Sequence, residues 1–168
     1  MSEDNSATRQ ELSQRAWDYF EMHGTQRLTT FNFYIVFSSI VAASLLTPLQ
    51  SGQATRAGLL PGLLLIFLSF VFWKLDVRNK DLIKAAEAAL KYFEQTSNLQ
   101  DTGDEPHIAK IFLHEEFMTC QRKQKKSVFF WKNHFSYSNS FNIIFACFGL
   151  VGLVGVVLAF FPQLRSLF

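Results

Sequence analysis

The chain has 168 residues, of which 49% are hydrophobic and 18% charged, with 19 phenylalanines and a formal net charge of +2. Its length suits about one domain, but its charge content falls below the roughly 25% of soluble domains. That balance excludes an ordinary soluble domain, and the small net charge points to no particular partner.

The placement of the charges says more. No Asp, Glu, Lys or Arg occurs between Arg27 and Arg56, or between Arg56 and Lys74. Between Lys132 and Arg165 only the titratable His134 interrupts the run. A helix packed in a soluble core keeps a polar face, so uncharged stretches of this length argue for lipid as the solvent.

In chain order, residues 1–27 predict a cytoplasmic N-terminal helix. They are polar and acidic, the wrong order for a cleavable signal, and no lipidation motif is expected. Thr8–Glu11, "TRQE", reads as a capping box opening a helix through Trp17 and Phe20. Gly24 either bends that helix or lets it run into the first span. Residues 28–74 predict a transmembrane hairpin, with spans over about 28–48 and 57–74. Each approaches the roughly 20 residues that cross about 30 Å of hydrocarbon.

Residues 75–140 predict a cytoplasmic helical segment. "DLIKAAEAALKYFEQ" carries Leu82, Ile83, Ala86, Ala89, Leu90 and Phe93 on one face. Glu87 and Lys91 form an i,i+4 pair on the other. Thr96–Pro106 reads as a loop by its turn residues. Asp104 and Pro106 then suit the start of a helix to about Lys126, with Ile108, Ile111, Phe112 and Phe117 as its apolar stripe. Residues 141–162 predict a third transmembrane helix and 163–168 a short external tail. The expected class is therefore all-α, an integral membrane protein with three transmembrane helices and a cytoplasmic helical domain.

Basic residues set the expected orientation. Three precede the first span, Arg56 alone separates the first two, eleven lie between the second and third, and Arg165 follows, which accounts for all 16. Positive-inside then places the N-terminus and the long central segment in the cytoplasm and the C-terminus outside. Cys120 and Cys147 fall in a charged and an apolar stretch, so they would sit at different depths and no disulfide is expected.

Four groups of residues stand out. The first is "LSFVFWKLDVRNKDLIK", Leu68–Lys84, where an uncharged run ends at Trp73. Trp73 suits an interfacial anchor, and Lys74 and Arg78 suit the basic flank. Asp76 does not fit that plain reading, because an acidic group beside the bilayer costs desolvation unless it is paired. In an antiparallel hairpin Arg27 comes level with Asp76. An Arg27–Asp76 ion pair is therefore expected, with His23, Gln26 and Asn32 as neighbours, as a cluster coupling the cytoplasmic helices to the spans.

The second group is "GLVGLVG", where Gly149, Gly152 and Gly155 make a small-residue strip in the third span. Ser39 and Ala43 offer a small pair in the first. Such residues allow close helix approach, within a protomer or between protomers, although glycine is also simply common in membrane helices. Third, Arg122, Lys123, Lys125 and Lys126 form a basic cluster that could meet anionic headgroups or serve only as a topology signal. Trp131 is a further interfacial anchor candidate. Fourth, His107, His114, Cys120, Glu115 and Glu116 match no metal spacing, and no phosphate loop, dinucleotide fingerprint or nucleophile elbow appears. No catalytic residue, metal or cofactor is expected, and the chain is read as a non-enzyme.

"YFEMHGTQRLTTFNF", Tyr19–Phe33, and "FWKLDVRNKDLIKAAEAAL", Phe72–Leu90, resemble small bacterial multi-pass inner-membrane proteins of the anti-phage membrane-effector type, including retron-associated two-span effectors. The likeness covers about the first 95 residues, and a third span departs from a two-span plan. The resemblance implies an effector that is quiet until infection and then assembles or rearranges to damage the membrane.

The leading functional expectation is therefore a bacterial inner-membrane effector that assembles through its spans and perturbs or permeabilises the membrane, plausible in anti-phage defence. The alternatives are a non-catalytic anchor or regulatory subunit for a cytoplasmic protein partner, and a small channel or transporter. The expected partners are the lipid bilayer and further copies of the chain. Nucleic acid is disfavoured, since no recognised nucleic-acid fold accompanies the basic cluster.

Overall fold

The computed structural model describes residues 2–50, 58–97, 99–101, 103, 105–124 and 137–161. Side chains are described for 6–45, 58–97, 99–101, 103, 105–121 and 138–161. Among the described residues there are four helices and no strand: α1 (Ser2–Gln50), α2 (Leu59–Gln95), α3 (Ile111–Gln124) and α4 (Tyr137–Phe160). Three of them, α1, α2 and α4, contain stretches long and apolar enough to cross a membrane.

The helix bounds differ in places from those the local signals suggest. α1 is one helix of 49 residues. It begins before the Thr8–Glu11 capping box and runs through Gly24 without a break. A glycine inside a helix costs only about 1 kcal/mol relative to alanine, too little to interrupt a helix held by packing on both sides. Similarly, α2 is one helix of 37 residues that runs on past Trp73 and the charges that follow it. In contrast, α3 starts at Ile111, several residues after the Asp104–Pro106 start that the sequence suggests.

The chain divides into two compact units. One comprises residues 26–78 and 135–168, the other residues 1–25 and 79–134. In the apolar unit, Tyr34, Phe141 and Phe145 are buried, with Phe31, Ile35, Phe72, Ile144 and Phe148 packed against them. Phe33, Val36, Phe37 and Ile40 of α1, Phe67 and Phe70 of α2, and Leu150 and Leu153 of α4 are exposed. Large apolar side chains on the outside are compatible with lipid as solvent.

The polar unit is held differently. Ala86 and Leu90 of α2 are buried, and Leu82, Ile83, Ala89 and Phe93 are half-buried. Phe112 of α3 lies edge-on to both Trp17 and Phe20 of α1, at centroid distances of 6.3 and 5.4 Å. Lys91 pairs with Glu87 at 2.7 Å and reaches Glu116 of α3 at 2.9 Å.

The start of α3 has no Ser, Thr, Asp or Asn immediately before it. Instead both carboxylate oxygens of Glu94, in the last turn of α2, accept from the Phe112 and Leu113 N–H groups at 3.1 and 2.9 Å. These are two of the donors that every helix start leaves without an intrahelical partner. Ile108 and Ile111, expected on the packed stripe of this helix, are exposed. Ile108 precedes α3, and α3 meets its neighbours through the Phe112 ring and the Glu116–Lys91 pair.

Candidate functional site

The candidate site lies in the apolar unit and is built on the hairpin of α1 and α2. Arg27 Nε donates to Asp76 Oδ1 at 2.6 Å, and Nη2 donates to Oδ2 at 3.1 Å. The side chains are 15% and 7% exposed. This two-point geometry fits a guanidinium to a carboxylate and satisfies both acidic oxygens. It answers the desolvation cost of an acidic group at this position, because a charge taken out of water is tolerable only when paired and hydrogen-bonded.

The pair also reaches the third helix. The Arg27 guanidinium carbon lies 4.9 Å from the centroid of Phe141 on α4. Phe141 stacks on Phe31, with centroids 3.7 Å apart and rings 6° from parallel. One arginine thus joins α1, α2 and α4 through an ion pair and an aromatic face, and a cation–π contact of this kind strengthens as water is excluded.

Seven residues on from Arg27 along α1 is Tyr34, and seven back from Asp76 along α2 is Ser69. Their hydroxyls are hydrogen-bonded at 2.9 Å. The antiparallel register that pairs Arg27 with Asp76 therefore also pairs Tyr34 with Ser69, two turns deeper in the apolar unit. Ser69 donates to the Leu65 carbonyl at 2.8 Å, so the Ser69–Tyr34 contact is formed by the tyrosine donating to Ser69. Tyr34 is fully buried, and its ring packs against Phe72, Phe145 and Phe148. The sequence reading missed this pair. The signal was available, since a tyrosine inside an apolar run needs a partner for its hydroxyl, and the seven-residue offset from Arg27 points to Ser69.

The glycine strip of α4 meets α2 and α1 in the same unit. A Cβ on Gly152 would lie 2.8 Å from the Gly62 carbonyl oxygen, and one on Gly155 would lie 2.7 Å from the end of Leu45. Gly149 is looser, with Ser69 Cβ at 3.7 Å. Ser39 and Ala43 lie on the exposed face of α1.

Of the remaining candidates, His23 belongs to the polar unit, where it is buried and meets the ring of Tyr19 edge-on at 4.2 Å. Gln26, Asn32 and Arg78 are exposed. Lys74 is exposed and holds its ammonium 5.1 Å from the Trp73 ring centroid. Lys125, Lys126 and Trp131 lie outside the described residues, as do the side chains of Arg122 and Lys123. Cys120 and Cys147 are both free and exposed. Among the described residues, no group of three or more His, Cys, Asp or Glu side chains could hold a metal ion. What the arrangement offers is a mechanical junction, a buried charge pair whose opening would leave two unpaired charges among three helices.

No protein-family model matches the chain, and no solved structure matches it. The chain is similar to CD-NTase-associated protein 19 of Escherichia coli, with 47% identity over 88 residues. That likeness supports an association with anti-phage defence. It does not single out the retron-associated type. The matched stretch is 51% of this chain and 58% of the relative, so the chain spans little more than half of that protein's length.

Proposed function

We propose that the chain is a multi-pass inner-membrane effector of anti-phage defence that assembles with further copies and perturbs or permeabilises the membrane when activated. The observation that carries this reading is the likeness of half the chain to CD-NTase-associated protein 19 in a protein with three helices able to cross a bilayer. The distribution of basic residues supports a cytoplasmic side for the N-terminus and the central segment. The chain acts without a catalytic step of its own. The Arg27–Asp76–Phe141 junction holds the resting arrangement of the spans, and activation loosens it.

The test is membrane potential and growth after induced expression in a bacterial host, with and without phage, for the wild type and Asp76→Asn at matched membrane levels. Depolarisation by the wild type on infection, and at a lower threshold for Asp76→Asn, is the expected result. Intact potential in both, with phage present, sinks the effector reading in favour of a non-catalytic anchor for a cytoplasmic partner. Flux of one solute without general depolarisation sinks it in favour of a small transporter.

A further inference from the structure

The polar unit leaves two apolar helix strips partly exposed. On α1, Leu12 and Tyr19 are 48% and 39% exposed; on α3, Ile111 and Met118 are 63% and 37% exposed. Large exposed side chains in the apolar spans are accounted for by lipid. These four are not, because charged residues flank them: Glu11, Arg15 and Asp18 on α1, and Glu115 on α3.

The two strips match in spacing and oppose in charge. Leu12 and Tyr19 are seven residues apart, with the exposed Arg15 between them. Ile111 and Met118 are also seven apart, with the exposed Glu115 between them. Seven residues is two helical turns, the repeat at which two helices keep one seam in contact. Laid parallel, Leu12 faces Ile111 and Tyr19 faces Met118. Arg15 and Glu115 then fall between the two apolar contacts, offset by one residue, or about 1.5 Å of rise.

Within one chain the strips do not cover each other. α3 meets α1 through Phe112 and α2 through the Glu116–Lys91 pair, while both strips stay partly exposed. Arg15 pairs with Glu11 at 4.0 Å, with both side chains more than 70% exposed. A pair that open to water is worth little and is easily exchanged.

The helix directions also suit a neighbour of the same kind. Arg9, early in α1, donates to the Phe93 carbonyl and to the Thr96 hydroxyl, at the end of α2. Glu94 of α2 meets the start of α3, and Lys91, one turn earlier, meets Glu116, one turn later. Both α1 and α3 therefore run opposite to α2 and in the same direction as each other. Copies held in one bilayer share orientation, so α1 of one and α3 of the next meet in parallel.

We propose that copies of this chain associate head to tail, the Leu12–Arg15–Tyr19 strip of one seating the Ile111–Glu115–Met118 strip of the next. Each copy then carries one strip of each kind, so the contact is heterologous and closes into a ring when its rotation permits. The contact rests on the assembling reading above and gives that assembly a surface outside the spans.

Cross-linking of the full chain in native membranes tests it. In a Cys120→Ser, Cys147→Ser background, Leu12→Cys and Ile111→Cys copies with tags of different size are co-expressed and oxidised. The expected product is a covalent dimer containing one of each, with little product from either variant alone. Arg15→Glu in both copies should lower its yield about fivefold or more, as expected when like charges replace an attractive pair. Adding Glu115→Arg should restore it.

Absence of the mixed dimer at wild-type membrane levels overturns the proposal. So does equal product from Leu12→Cys alone, which would show a symmetric contact, or an unchanged yield on charge reversal. A mixed dimer in cells that keep their membrane potential upholds the contact and sinks the effector reading. Depolarisation without the dimer does the reverse.

Discussion

Gly62 and Gly152 meet backbone to backbone where α2 crosses α4. A Cβ on Gly62 would lie 2.9 Å from the Gly152 carbonyl oxygen, and one on Gly152 would lie 2.8 Å from the Gly62 carbonyl oxygen. The obstruction in each case is main chain, which cannot swing aside as a side-chain end can. The close approach is therefore internal to the protomer. Gly152→Ala should force the helices apart and cost about 1–3 kcal/mol, the range for overpacking a tight contact. Gly149→Ala, whose Cβ would sit 3.7 Å from Ser69, should be tolerated. Gly24→Ala has nothing within 4 Å and should stabilise by about 0.4–1 kcal/mol through reduced chain entropy. Thermal unfolding of the purified chain in detergent orders the three. Equal effects at Gly149 and Gly152 would refute the crossing.

The Arg27–Asp76 pair predicts an asymmetry between breaking it and replacing it. Arg27→Met alone leaves a carboxylate that is 7% exposed without its partner and should cost about 3–5 kcal/mol. The double variant Arg27→Met, Asp76→Leu removes both charges and should recover most of that loss. Exchange of the two, Arg27→Asp with Asp76→Arg, should likewise recover more than either single change. Chemical denaturation of the wild type, Arg27→Met, Asp76→Leu and the double variant gives the coupling directly. Additive losses would mean that the two side chains do not depend on each other.

Much of this junction is legible in the sequence because it follows from one constraint. Two apolar runs joined by a short connection make an antiparallel hairpin, and that brings Arg27 level with Asp76. The Glu87–Lys91 pair is legible for a similar reason, since four residues along one helix fixes the geometry. What is not legible depends on a distant partner. The three-residue spacing of Gly149, Gly152 and Gly155 marks a small surface but not its occupant, because Gly62 and Leu45 come from other helices. The Thr8–Glu11 motif suggests a helix start worth about 1 kcal/mol, which a longer helix overrides, and of the two readings open at Gly24 the continuous helix is the one observed. The start of α3 is hidden because its cap comes from Glu94, seventeen positions before Ile111.

That distant cap gives its own prediction. Glu94→Ala leaves the Phe112 and Leu113 N–H groups without their carboxylate acceptor and should loosen the first turn of α3. Loss of a capping side chain costs about 1 kcal/mol, which corresponds to about fivefold faster exchange of those amides by local opening. Glu94→Gln keeps an acceptor oxygen and should lose less. Hydrogen exchange read by mass spectrometry over residues 111–118 tests both. Unchanged protection in Glu94→Ala would show that the aromatic contacts of Phe112 hold the helix start unaided.

The loop before α3 should respond to acid. Lys110 donates from Nζ to Asp101 Oδ1 at 2.8 Å, and the His107 N–H donates to the same oxygen at 3.0 Å. The hydrogen bond from Lys110, then that from the His107 backbone, hold the Asp101 carboxyl below its ordinary range, against the opposing effect of desolvation. A folded-state value below the unfolded one means that the charged form is favoured by folding. The stabilisation is complete above the unfolded value of about 3.9, and it is lost as pH falls through the lower folded value. Exchange protection at Lys110, whose N–H donates to the His107 carbonyl at 2.8 Å, should therefore be level from neutral pH down to about 4 once corrected for intrinsic exchange, then fall. In Asp101→Asn the acidic step should vanish and protection should be lower at neutral pH. A step that persists in Asp101→Asn would assign the transition to another carboxylate.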